Sequence, residues 1–147
     1  MNKYFRLKFF ILVLLIGAGW FSFTGFRVGL KVEKMEPREL VQTYYDSIAR
    51  GDRTTARACL GSSYRRQVSG SADWDGKNVK TLSNLTLGKS IPIQLQNVKG
   101  ETLQLTADYE VKYKQVITNY DGHSTRFIYV NRKDNGPWKI ISIGTGP

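Results

Sequence analysis

From Pro37 the apolar positions recur at helical spacing: Leu40, Val41, Tyr44, Tyr45 and Ile48 fall at i, i+1, i+4, i+5 and i+8, which makes one stripe. Pro37 suits a first helical position, and Glu36 and Glu39 stand near the positive end of the helix dipole. Arg50 falls in the last turn and Gly51 supplies the stop. Asp52 is placed to cap a second, shorter helix that holds Ala56, Cys59 and Leu60. Ser62 or Ser63 starts a third helical turn through Tyr64 and Val68. Residues 69–77, SGSADWDGK, are rich in turn formers and end the helical part.

After that stretch the period changes to two. Between residues 102 and 114, Leu103, Leu105, Ala107, Tyr109, Val111 and Tyr113 alternate with Gln104, Thr106, Asp108, Glu110, Lys112 and Lys114. This predicts a long strand with one face buried. Asp121-Gly122 marks a hairpin, and a partner strand runs through Phe127-Ile128-Tyr129-Val130. A last strand spans Trp138-Lys139-Ile140-Ile141-Ser142-Ile143, after the turn Asn135-Gly136-Pro137. Earlier strands fall around Val79–Leu87 and residues 91–95. Helices followed by antiparallel strands predict an α+β domain over residues 37–147, its helices packed on one face of a curved antiparallel sheet.

Ahead of this domain, residues 9–26 read FFILVLLIGAGWFSFTGF, eighteen positions without a charge. As a helix they extend about 27 Å, near the thickness of the bilayer's hydrocarbon core. Phe9, Leu12 and Leu15 belong to its apolar body, while Trp20 and Phe26 suit headgroup level at one end. The reading is a transmembrane anchor over residues 9–26 in contact with membrane lipid. Residues 1–8 form a short cytoplasmic tail and residues 27–36 a mixed-charge connector. The alternative is a secretory signal cleaved after Gly19, although Gly17-Ala18-Gly19 matches an A-x-A site poorly. Both readings place the domain outside the cytoplasm, either on a single-pass protein of the cell membrane or as a secreted chain.

The chain carries 22 Lys and Arg against 12 Asp and Glu, a formal charge of +10. Lys3, Arg6, Lys8 and Arg27 lie in the first 27 residues, so the remainder still holds +6. A basic surface favours anionic neighbours. With the domain exported, these are an anionic envelope component or another protein. Nucleic acid fits poorly, because no recognisable binding motif is present. The single cysteine, Cys59, forms no intramolecular disulfide, so the fold rests on its hydrophobic core. With one cysteine and one histidine, no structural zinc site and no cofactor site is expected.

The pattern Pro37-x-x-x-Val41-x-x-Tyr44-Tyr45-x-x-Ile48-x-x-Gly51-Asp52-x-x-x-Ala56 resembles the opening helices of nuclear transport factor 2-like domains. The ending Trp138-Lys139-Ile140-Ile141-Ser142-Ile143-Gly144-Thr145-Gly146-Pro147 is similar to that of an uncharacterised branch of small exported proteins from Gram-positive bacteria. The resemblance covers about residues 35–147. It implies a cone, a strongly curved sheet wrapped around the first helix with a pocket in its concave face. Some relatives are enzymes that place carboxylates, histidines and tyrosines in that pocket; others only bind partners. No catalytic residue transfers position by position, and a shared fold does not establish function.

Residue by residue, the chemistry is sparse. His123 is expected at an exposed hairpin tip, and Asp108 and Glu110 on the polar face of the long strand. Asp73-Trp74-Asp75-Gly76 echoes the start of a calcium loop but lacks the further ligands, and reads as a mobile turn with one anchoring tryptophan. Cys59 reads as a small buried apolar residue. The candidate pocket residues are Tyr44 and Tyr45, whose rings can pack while a hydroxyl faces a cavity, and Asp46, at the cavity rim. The reading is a non-catalytic binding or interaction module. The alternatives are a small-molecule or enzymatic pocket inside the cone, and a structural subunit of an envelope complex. Convergent polar groups in a deep concavity would favour the pocket.

Overall fold

A computed structural model describes residues 28, 29 and 31–146. The anchor read over residues 9–26, with Phe9, Leu12, Leu15, Trp20 and Phe26, lies outside the described residues. Among the described residues no helix is long and apolar enough to cross a membrane.

Among the described residues, four helices from Pro37 onward precede five strands. Helix α1 spans Pro37–Arg50, with Pro37 in its first turn and Gly51 closing it in the left-handed conformation at φ 71°. The Gly51 amide donates to Ile48 and that of Asp52 to Ser47, which satisfies carbonyls the helix would otherwise leave open. Asp52 caps α2 (Arg53–Cys59) by accepting from the Thr55 amide at 3.0 Å. Helix α3 spans Ser62–Ser69 and α4 is a single turn, Asp75–Asn78.

The strands are β1 (Val79–Leu87), β2 (Ile91–Ile93), β3 (Glu101–Tyr113), β4 (Gly122–Arg132) and β5 (Lys139–Gly144). They form one curved antiparallel sheet in the order β1-β3-β4-β5, with β2 beside the first residues of β3. Irregular pairing interrupts β1–β3 between Ser83 and Thr86, and β4–β5 at Tyr129 and Val130. Such irregularities bend a strand and increase its twist.

The stripe Leu40, Val41, Tyr44, Tyr45 and Ile48 is wholly buried. It meets Leu105, Ala107, Tyr109 and Val111 of β3 and Ile128 and Val130 of β4 in one core. The Tyr45 ring lies 5.0 Å from that of Tyr109, joining α1 to the sheet. Cys59 is buried, and desolvation pushes its thiol up to about 12, as fits an unreactive core residue.

Three expectations change. Residues 27–36, read as a connector, contribute Val32 and Met35 to the core and contain helical turns around Val28 and Val32. The alternation of β3 breaks at its start: Leu103 is only half-buried, while Thr102 is buried and accepts from the Asn131 side chain at 3.0 Å. His123 is not at the tip of the hairpin but within β4, opposite Glu110.

Leu105 is 1% exposed and Lys112, on the other face of β3, is open to solvent. Leu105→Ala is expected to cost about 2–5 kcal/mol, and Lys112→Ala under about 0.5 kcal/mol, in chemical denaturation. Equal costs would contradict the strand register.

Candidate functional site

The turn-rich segment between α3 and β1 is strapped across one end of the sheet. Trp74 is buried, and its indole N–H donates to the Tyr44 hydroxyl at 3.2 Å. Gly76 lies under the ring, where a Cβ would come within 2.5 Å of Trp74 Cζ2, so the close approach requires glycine. Asn78 clips the segment to the chain after β3: its amide donates to the Gln115 carbonyl at 2.8 Å and its oxygen accepts from the Gln115 amide at 3.0 Å. Asp73 accepts from Asn119 at 3.1 Å and from the Thr118 hydroxyl. The segment expected to be a mobile turn is therefore held at several points.

Behind it lies a cavity of about 300 Å³. Tyr44 from α1, Tyr64 and Val68 from α3, and Trp74 give it aromatic and apolar walls; Asp75 and Arg126 give it charge. Arg126 sits on β4 in phase with the buried Ile128 and Val130 and opposite Ala107, whose small side chain leaves room for it. Its guanidinium donates to Asn119 Oδ1 at 2.6 Å and lies against the Tyr109 and Tyr113 hydroxyls. Burial works against this charge, but the facing Tyr109, Tyr113 and Asp75 more than offset it, so Arg126 stays protonated.

Asp75 is the anomaly. Its carboxyl accepts no hydrogen bond and makes no ion pair with another described residue. Desolvation pushes it up to about 6; Arg126 pulls it down and Asp73 pushes it further up, and burial wins. Around it stand Tyr44, Tyr64, Tyr109 and Tyr113, each raised by its own burial and then by the Asp75 charge, and Tyr45, raised by burial, then by Tyr109 and by Asp75. The hydroxyls of Tyr45, Tyr109 and Tyr113 are buried without a partner at hydrogen-bonding geometry. The approach of Arg126 to Tyr109 and Tyr113 is thus an electrostatic contact more than a formed bond.

The three candidate pocket residues separate. Tyr44 lines the cavity; Tyr45 stands behind it against Tyr109. Asp46 accepts from Gln42 at 2.9 Å and faces a different groove, with Val28, Lys31 and Arg50. His123 is exposed, with Nδ1 3.5 Å from Glu110 and Nε2 3.8 Å from Asp108. The same face of the sheet carries the Thr125 hydroxyl, which donates to Asp108.

Asp75, Arg126 and Tyr64 were not singled out as pocket residues from the sequence. Arg126 was legible in principle, because it stands two residues before Ile128 on the inward phase of β4. Asp75 had no such signal, since its burial depends on where the strap closes. Comparison of the chain with protein-family models, with curated proteins and with solved structures returns no match.

A carboxyl raised in the fold costs stability once it ionises. The cost is absent below the unfolded-state value near 4, grows between about pH 4 and 6, and is complete above 6. Asp75→Asn is therefore expected to stabilise the protein by roughly 1–3 kcal/mol at neutral pH, with the gain vanishing below about pH 4. Denaturant titrations across that range check it; a destabilised variant at neutral pH would show that the carboxylate has a partner.

Proposed function

We propose that this protein is a membrane-anchored, extracytoplasmic binding module of the nuclear transport factor 2-like kind. In this reading residues 9–26 hold it in the lipid, and the cavity around Asp75 receives a small molecule. The observation that carries the binding reading is the convergence of an unpaired carboxyl and a guanidinium in one aromatic-walled cavity. A few placed polar groups in a mostly apolar wall are what orient a ligand. The helices followed by a curved sheet support the family reading; the uncharged run of eighteen residues supports the anchor.

The module is proposed to be non-catalytic. The tyrosines around Asp75 are all raised above their ordinary value, and Arg126 stays charged, so no facing group serves as a proton donor matched to neutral pH. One observation favours an enzyme instead: a carboxyl near 6 in a cavity wall is suited to general-base work. Turnover of an envelope-derived or steroid-like substrate that is lost in Asp75→Asn would establish that second reading.

Placement has its own test. The full-length protein is expected to stay with membranes through an alkaline carbonate wash, while protease added outside intact cells cuts its C-terminal domain. Release of a shortened chain that starts near Trp20 would replace the anchor by a cleaved signal, and protection from outside protease would overturn export.

A further inference from the structure

We infer that the cavity takes a small organic cation, a primary ammonium group paired with Asp75 and walled by Tyr44, Tyr64 and Trp74. This rests on the reading of the cavity as a binding site and names the class of its ligand.

The other charges at the cavity are already matched. Asp73 accepts from Asn119, Thr118 and Asn78. Arg126 is engaged by Asn119 and the Tyr109 and Tyr113 hydroxyls. Asp75 alone lines the cavity without a partner among the described residues. A half-buried carboxylate needs a counter-charge or a set of donors to remain ionised; Arg126, committed to Asn119, attracts Asp75 without bonding it, and no donor reaches it among the described residues.

The walls decide which cation. An ammonium donates three hydrogen bonds and is attracted to aromatic faces, and tyrosine oxygens accept from it. The Trp74 ring already draws one cation, the Arg57 guanidinium, which lies 5.9 Å from the ring centroid. A divalent metal ion asks for six or more oxygen ligands, and the cavity offers one free carboxylate. Val68 and Ile143 supply an apolar surface for the carbon skeleton of an amine. The volume, about 300 Å³, is at the small end of ligand cavities.

Proton linkage follows from the neighbours. The groups that face Asp75 are Tyr44 and Tyr45 of α1, Tyr64 of α3, Asp73 of the strap, Tyr109 and Tyr113 of β3, and Arg126 of β4. The tyrosines stay neutral and the arginine charged through the physiological range, so Asp75 controls the gain of affinity as pH rises through about 6.

The test offers three matched probes, benzylammonium, benzyl alcohol and benzoate, to the full-length protein in neutral detergent, at up to millimolar concentration. The readout is the indole N–H resonance of Trp74. Benzylammonium is expected to shift it at neutral pH with an affinity at least about tenfold above that of benzyl alcohol. That preference is expected to be lost at about pH 5 and in Asp75→Asn. Benzyl alcohol or benzoate moving the same resonance equally well would overturn the ammonium assignment and leave the cavity a binding site. Silence from all three probes would overturn both readings. A preference that persists in Asp75→Asn would place the cation elsewhere and also overturn the inference.

Discussion

The hydrogen bond from the Trp74 indole to the Tyr44 hydroxyl joins the strap to the central helix, and the cavity exists because that contact is made. Tyr44 is fixed by the apolar stripe of α1, so Trp74 has one place to go, and its ring needs a bare backbone beneath it at Gly76. With Trp74 seated, Asn78 reaches Gln115 and the strap is closed. Asp75, between these fixed points, is half-buried in the cavity wall. Its desolvation is a consequence of packing on both sides of it.

Stability is given up at one place and recovered elsewhere. Asp52 is an acid with the opposite environment: hydrogen bonds from Thr55, led by its side chain, hold its carboxyl below the usual range, so its cap strengthens the fold above acidic pH. Asp75 has no such donors and is driven the other way. Two carboxyls on neighbouring short helices thus act with opposite sign. A fold that keeps a destabilising carboxylate beside three open tyrosine hydroxyls fits the trade between stability and function seen at binding sites.

The helices were legible because their signals are local. Pro37, Gly51 and Asp52 act within a few residues of themselves, and the stripe from Leu40 to Ile48 follows directly from the helical period. The strands were legible for the same reason, except where a side chain breaks the alternation. Thr102 turns inward because Asn131 offers it a partner across the sheet, which no period in β3 announces. The site was largely hidden. Tyr44 could be named from its stripe, but Asp46, next in sequence to Tyr45, faces another groove because successive helical residues point about 100° apart. Asp75 and Arg126 are 51 positions apart in the chain, and only the closed strap brings them to one cavity.

Asp75 is a half-buried carboxyl with no hydrogen-bond or ion-pair partner among the described residues. This is tested most directly by following the side-chain carboxyl carbon of Asp75 by NMR through an acid titration of the free protein. The expected midpoint lies near 6, well separated from the ordinary carboxylates. A midpoint near 4 would mean that the group is solvated or paired, and would contradict both the site and the ligand class drawn from it.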